Sequence, residues 1–178
     1  NTKGVQVVTS EASKDEEEVG EIEEFSNNDF ASDPEMMKDF LSNTDDLMET
    51  LDETILELEQ NPEDKETIES IFRAAHTLKG AAGMFGFKGI ERVMHRMENL
   101  FDQVRKGTLI PNADTIDVVF QGIDVLRTLL DAVKDGAPSG TKTAPIVKAL
   151  TMAAKGEKPI IEESDSAPAP SVEADAPD

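Results

Sequence analysis

A helical period of apolar residues, running from residue 33 to residue 155, is the feature that most limits what this chain can fold into. Apolar side chains recur there every three or four positions, the spacing that places them along one face of an α-helix. The two-residue alternation that marks a half-buried strand is not found in this range. The sequence therefore predicts an all-α protein.

Local start and stop signals divide this range into five helices. Two kinds of signal recur: a capping side chain, in two cases followed by proline, at a helix start, and glycine where a helix ends. In chain order they are Asp33-Pro34, Asn61-Pro62, Gly86-Phe87, Gly107, Asn112 and the loop 136–140. Short connections make neighbouring helices antiparallel. We therefore expect an up-and-down antiparallel four-helix bundle with an additional C-terminal fifth helix.

The two ends of the chain differ from this middle in composition. Residues 1–32 include the run KDEEEVGEIEE and few large apolar residues, so we expect this acidic segment to be mostly disordered. Residues 156–178 are rich in proline, alanine and acid, which is typical of a flexible linker. The predicted domain is therefore 33–155, and a C-terminal linker suggests that further domains follow in the full protein.

The charge of the chain excludes several classes of function. A formal net charge of −21 argues against binding to nucleic acid or to an anionic membrane surface. No apolar run approaches the roughly 20 residues that span a bilayer, and no signal segment is present. The chain has no cysteine, which excludes disulfides and zinc–thiolate sites. These observations favour a cytoplasmic protein without membrane insertion.

His76 lies in the most unusual local sequence of the chain, the run FRAAHTLKGAAGMFGF. It is one of two histidines, and Lys79, Gly80 and Gly83 follow it at helical spacing. Each glycine costs about 1 kcal/mol relative to alanine inside a helix. Two of them beside one imidazole indicate a bare surface that a partner must approach.

The next predicted helix carries carboxylates that can reach this imidazole. At about 100° per residue, one flank of that helix holds Glu91, Glu98 and Asp102, with His95 just beyond. If the two helices pack antiparallel, Glu98 can accept a hydrogen bond from Nδ1 of His76. This bond would fix the tautomer and leave an outward lone pair on Nε2, which makes a nucleophile. Lys79 would then offset charge on an incoming phosphoryl group.

Other interpretations stay open at this point. His76 could be an ordinary surface histidine, Gly80 and Gly83 could serve close helix packing, and Lys79 could be a solvated lysine. For His95, which has no glycines around it, we expect at most a supporting role beside Glu98.

A metal centre is a further alternative. Its candidate ligands are His76, His95, Glu91 and Glu98. Metal sites in helical bundles generally use Glu-x-x-His on two helices, whereas here the order is His95-Arg96-Met97-Glu98 on a single helix. Met84, Met94 and Met97 are more typical of core positions than of cofactor ligands.

The run FRAAHTLKGAAGMFGF, followed by HRMENLFDQVRKG, closely resembles the histidine phosphotransfer (HPt) domain of CheA-type chemotaxis histidine kinases. The resemblance extends over residues 33–155 and rests on the His-x-x-Lys-Gly block, the second glycine, the Phe-Gly-Phe exit and the Met-Glu-Asn on the next helix. It implies that His76 is phosphorylated on Nε2 and that Glu98 accepts a hydrogen bond from its Nδ1. Lys79 and His95 match the accessory polar positions of the family, and Gly80 and Gly83 match its glycines.

The resemblance implies a two-step phosphoryl relay. An ATP-binding kinase domain of the same protein, in trans within a dimer, would phosphorylate His76, and a response regulator receiver domain would then take the group onto an aspartate. The chain would need no cofactor of its own, because ATP and Mg²⁺ belong to the partner kinase domain. It would be a carrier, and the full protein a histidine kinase. The alternatives are a stand-alone phosphorelay protein and a helical metal-binding or interaction module.

One departure from the family lies at the N-terminus. Typical members begin their bundle close to the start of the chain, whereas the acidic residues 1–32 come first here. An internal or second HPt domain in a longer kinase would account for this segment.

Overall fold

The computed structural model describes residues 29–137 and 139–160, and within these ranges it contains six helices and no strand. The helices are α1 (Asp29–Ser32), α2 (Pro34–Gln60), α3 (Lys65–Phe85), α4 (Lys88–Arg105), α5 (Ala113–Asp135) and α6 (Ala144–Ala154). The five predicted helices correspond to α2–α6. The single turn α1 is an additional element at the end of segment 1–32, which we expected to be mostly disordered. The rest of that segment and residues 161–178 lie outside the described residues.

The helices α2–α5 form a ring in which each packs against its two neighbours. At one end, the ring of Phe40 near the start of α2 lies 4.6 Å, centroid to centroid, from Phe85 at the end of α3. At the other end, Thr67 Oγ1 donates to Glu57 Oε2 at 3.3 Å. Two ion pairs join α2 to α5 in the same antiparallel sense, Asp52 with Arg127 and Asp45 with Lys134. The predicted up-and-down four-helix bundle is therefore confirmed.

The helix ends follow the local signals in the sequence. Asp33 Oδ1 accepts a hydrogen bond from the backbone nitrogen of Glu35 at 2.9 Å, where α2 begins. Asn112 Oδ1 accepts one from the backbone nitrogen of Thr115, also at 2.9 Å, where α5 begins. Gly86 ends α3 in the left-handed region with φ 74°, a conformation that glycine adopts without steric cost. Because these contacts are local, the sequence alone was enough to predict them.

The C-terminal helix α6 packs against α4 and α5 and completes the predicted architecture. A side chain at Gly122 of α5 would place a Cβ 3.0 Å from Met97 Cε and 3.7 Å from Leu150 Cδ1, so its absence lets α4, α5 and α6 approach closely. Just before α6, the buried hydroxyl of Thr143 accepts a hydrogen bond from Arg92 Nη1 at 3.0 Å. A hydrogen bond therefore joins the start of α6 to α4, the helix that carries Glu98.

The methionines divide between core and surface. Met94 and Met97 are fully buried, as predicted. The core assignment was wrong for Met84, whose exposed fraction is 57%, because it lies on the open side of α3 beyond the buried stripe. Among the residues that the structure describes, no helix combines the length and the apolar character that a membrane span requires.

Candidate functional site

His76 lies near the middle of α3, at the edge of the stripe that faces the core. Its neighbours Ala75 and Leu78 are fully buried, which fixes the position of the helix, while the His76 side chain retains 63% of its solvent exposure. The backbone that carries the imidazole is therefore held firmly by packing. The ring itself remains accessible to a large partner.

Glu98 reaches His76 from α4, which runs antiparallel to α3. Its Oε1 lies 2.9 Å from Nδ1 of His76, and its side chain is 13% exposed. A carboxylate can only accept at neutral pH, so this contact selects the tautomer with hydrogen on Nδ1. The lone pair then lies on Nε2, at the other edge of the ring. The structure thus brings His76 and Glu98 into contact, as their positions on the flanks of the two helices predicted.

Lys79 holds the other oxygen of the same carboxylate. Its Nζ lies 2.5 Å from Oε2 of Glu98. Partial burial by itself raises the pKa of Glu98, but hydrogen bonds from Lys79 and His76, together with the positive charge of Lys79, outweigh it and hold that pKa below its usual value. Glu98 is therefore ionised at neutral pH and places a fixed negative charge beside the imidazole.

His95 lies in a cleft next to this arrangement. The cleft has a volume of about 360 Å³ and is lined by Lys79, Lys88, Glu91, Arg92 and His95. Its lining carries three permanent positive charges and one negative charge, a balance that suits an anionic group. The structure therefore places His95 beside Lys79, at the margin of the site.

The two glycines of the cleared surface have different surroundings. Among the residues that the structure describes, none would lie within 4 Å of a Cβ at Gly80, so close packing against another described helix does not explain this glycine. A Cβ at Gly83 would lie 3.4 Å from Oε1 of Glu91, an ordinary contact with a neighbouring side chain. Gly80 in particular leaves open space on the exposed side of α3, close to His76.

The residues proposed as metal ligands do not converge. Glu98 is engaged by His76 and Lys79, while Glu91 pairs with Lys88, whose Nζ lies 3.2 Å from Oε2. Within residues 29–137 and 139–160, no three or more His, Asp or Glu side chains are grouped as they would be around a metal ion.

The sequence did not predict two residues near the site: Phe72, which lies beside His76, and Arg105, which contacts Phe72. The ring of Phe72 lies 6.3 Å from the imidazole, centroid to centroid, with an interplanar angle of 16°. Cζ of Arg105 lies 3.9 Å from the centroid of Phe72. The spacing of one helical turn between Phe72 and His76 was a usable signal. The sequence held no signal for the position of Arg105, because only the register of α4 against α3 brings it over the ring of Phe72.

The chain is similar to proteins of known families. A family model described as Hpt domain matches residues 35–136. The chemotaxis protein CheA of Salmonella typhimurium is 35% identical over 122 residues, which cover 66% of this chain and 18% of that protein. This chain spans less than a fifth of the length of the curated relatives that it matches first.

Solved structures agree with this similarity. The CheA phosphotransferase domain from Thermotoga maritima is 38% identical with a TM-score of 0.54, and the match covers 56% of this chain and 95% of that one. A solution structure of the histidine phosphotransfer domain of CheA is 32% identical with a TM-score of 0.62, and the match covers 67% of this chain and 91% of that one.

Proposed function

The chain belongs to the Hpt family and forms the phosphotransfer domain of a chemotaxis protein of the CheA type, and on this premise we propose that His76 is its phosphoryl-accepting residue. One observation carries the proposal: an exposed imidazole whose Nδ1 lies 2.9 Å from an ionised carboxylate. This geometry leaves Nε2 with a lone pair and with access to solvent. His95, the other histidine, lies at the margin of the site.

The first transfer forms a bond between Nε2 of His76 and the γ-phosphorus of ATP. The bond between that phosphorus and the bridging oxygen breaks, and ADP leaves with the electron pair. Since Nδ1 keeps its proton, the phosphorylated ring is a cation, and the carboxylate of Glu98 stabilises this charge as it develops. Phosphoryl transfer depends mostly on positioning and charge stabilisation, which is what this site supplies.

The second transfer moves the group to an aspartate. A carboxylate oxygen of the acceptor attacks phosphorus, the N–P bond breaks, and the electron pair returns to Nε2. The imidazole is neutral again, with its proton still on Nδ1 and Glu98 still ionised. His76 is therefore regenerated in the state from which it started.

The partners follow from the division of labour in such a relay. The donor is an ATP- and Mg²⁺-binding kinase domain of the same protein, acting in trans within a dimer, and the acceptor is a response regulator receiver domain in the cytoplasm. The need for a separate ATP-binding domain is supported by the given sequence, in which we find no Gly-rich nucleotide loop. The matched relatives are much longer proteins, which favours a kinase-linked domain over a stand-alone carrier.

The proposed function is tested by reconstituting the relay. The chain is incubated with a CheA-type kinase core that lacks its own phosphotransfer domain and with γ-labelled ATP. We expect the label on the chain to be lost in acid and stable in base, as a phosphohistidine is, and to leave when a receiver domain is added. Absence of label, or a label that is stable in acid, would contradict the proposal.

Gly80→Ala is expected to separate stability from function. Alanine is the better helix former by about 1 kcal/mol, and its Cβ would meet no other described residue within 4 Å, so the free energy of unfolding should rise by about that amount. The same methyl group occupies the surface that a partner approaches. We expect kcat/KM for phosphorylation by the kinase core to fall roughly tenfold.

Thr128→Ala provides the matched control for Gly80→Ala. Thr128 is exposed on α5, a helix that packs against α2, α4 and α6, and alanine should also stabilise the helix there. Phosphorylation of this variant should match the wild-type chain. A Gly80→Ala chain that is phosphorylated at the wild-type rate would show that the bare surface is not needed.

A further inference from the structure

The hydrogen bond to Glu98 does not by itself fix the direction of the His76 ring. A single contact at Nδ1 restrains one edge of the imidazole and leaves the ring able to swing about the N–H···O axis. With 63% of the side chain exposed, burial contributes little further restraint. If Nε2 must meet a donor in line, something else has to restrict this swing.

Phe72 is positioned to restrict the swing of the His76 ring. It precedes His76 by one helical turn on α3, and its ring is nearly parallel to the imidazole, at 16° and 6.3 Å between centroids. This separation lies within the range of about 4.5–7 Å in which aromatic rings interact favourably. Phe72 is partly buried and packs against the core, so its ring has little freedom of its own.

Arg105 holds the ring of Phe72 from the neighbouring helix. Its guanidinium lies over the ring, with Cζ 3.9 Å from the centroid, a cation–π contact. Two carboxylates fix the guanidinium in turn: Nη2 lies 2.8 Å from Oδ1 of Asp102, and Nη1 lies 3.8 Å from Oε2 of Glu69. The aromatic ring beside His76 is therefore braced by charged groups from both α3 and α4.

From this arrangement we propose that Phe72, braced by Arg105, is a positioning residue that fixes the plane of the His76 imidazole and with it the direction of Nε2. The inference rests on the proposed function of His76 and adds a second support to the one that Glu98 gives. Small misplacements of a reacting atom have large effects on rate, because the donor held by a partner domain cannot reorient to follow it. The effect therefore belongs to kcat and not to KM.

The test compares Phe72→Leu with Phe72→Tyr in the full chain. Leucine keeps an apolar side chain in the site but removes the flat ring, and tyrosine restores the ring. We expect Phe72→Leu to lower kcat for phosphorylation by the kinase core about tenfold with KM unchanged, and Phe72→Tyr to restore the wild-type value. Phosphoramidate, a small donor that can approach from any direction, should phosphorylate all three chains at equal rates.

A second variant keeps the proposal testable if Phe72→Leu fails to fold. Arg105→Gln removes the cation over the ring at an exposed position, and we expect kcat to fall several-fold. Arg73→Gln is its matched control, because Arg73 pairs with the same Glu69, at 3.0 Å, from an exposed position on α3. This control should leave kcat unchanged.

Each remaining outcome counts against the inference. Unchanged kcat in Phe72→Leu, or in Arg105→Gln where Phe72→Leu does not fold, would overturn it, as would a rise in KM alone, which would make Phe72 a docking contact. An equal loss with phosphoramidate would show that Phe72 acts on the reactivity of the imidazole and not on its direction. Failure of the wild-type chain to be labelled at His76 would instead overturn the proposed function.

Discussion

The His76→Gln chain is expected to take up no label from the kinase core and ATP, while folding as the wild-type chain does. A glutamine amide keeps polarity at the position and can donate to Glu98, but it has no lone pair that attacks phosphorus at a useful rate. Because the His76 side chain is 63% exposed, we expect the free energy of unfolding to change by no more than about 0.5 kcal/mol. Label incorporation and urea unfolding measure the two quantities independently.

His95→Gln is the control for this substitution. It removes the other histidine from a surface position in the adjacent cleft. We expect this chain to retain acid-labile label, with its rate lowered a few-fold at most. Label that persists in His76→Gln would contradict the assignment of the acceptor to His76. Label that disappears only in His95→Gln would contradict it as well.

Glu98→Gln is expected to slow phosphorylation by the kinase core about 10- to 100-fold, the range found when a carboxylate that orients a metal-binding histidine is changed. The substitution keeps the size of the side chain but removes the charge that fixes the Nδ1–H tautomer and stabilises the phosphorylated ring. It also leaves Lys79 without its carboxylate. Initial rates at saturating kinase measure the effect.

Glu91→Gln is the matched control for Glu98→Gln. Glu91 lies on the same helix and pairs with Lys88 at 3.2 Å instead of with the imidazole. We expect its phosphorylation rate to stay within about twofold of wild type, since surface ion pairs contribute little. Equal rates for Glu98→Gln and the wild-type chain would remove Glu98 from the mechanism.

The lowered pKa of Glu98 predicts how its effect on stability depends on pH. Lys79 and His76 favour the ionised carboxylate in the folded chain, and the unfolded chain has the ordinary glutamate pKa of about 4.3. The stabilisation is therefore fully present above that value and is lost as the pH falls through the lower folded pKa. Urea unfolding should show Glu98→Gln as less stable than wild type at pH 7, with the difference disappearing in strong acid.

The sequence predicted the helices well because their signals are local. Asp33, Asn112 and Gly86 each act within one turn of their own helix end. The same local character explains why Met84 was misjudged. Its apolar side chain fits a core pattern, and only the packed bundle shows that 57% of it stays exposed. The four residues of α1 are too few to show a helical period in the sequence.

The part of the candidate site that depends on local helical geometry could also be predicted from the sequence. Lys79 and Gly80 lie within a turn of His76, and the flank that holds Glu98 follows from helical geometry alone. That Lys79 binds the same carboxylate did not follow, since it depends on how closely α3 and α4 approach. The interpretation of Gly80 as a packing glycine stayed open until the space around it was known.

By itself, the sequence determined the class of fold, the ends of the helices, the family and the two histidines that are candidates for the proposed acceptor. Those properties depend on interactions between residues close together in the chain. Only the tertiary structure decided that Nδ1 of His76 meets Glu98 and that Arg105 lies over Phe72. These contacts join residues of α3 and α4, and they depend on the register that core packing sets between the two helices.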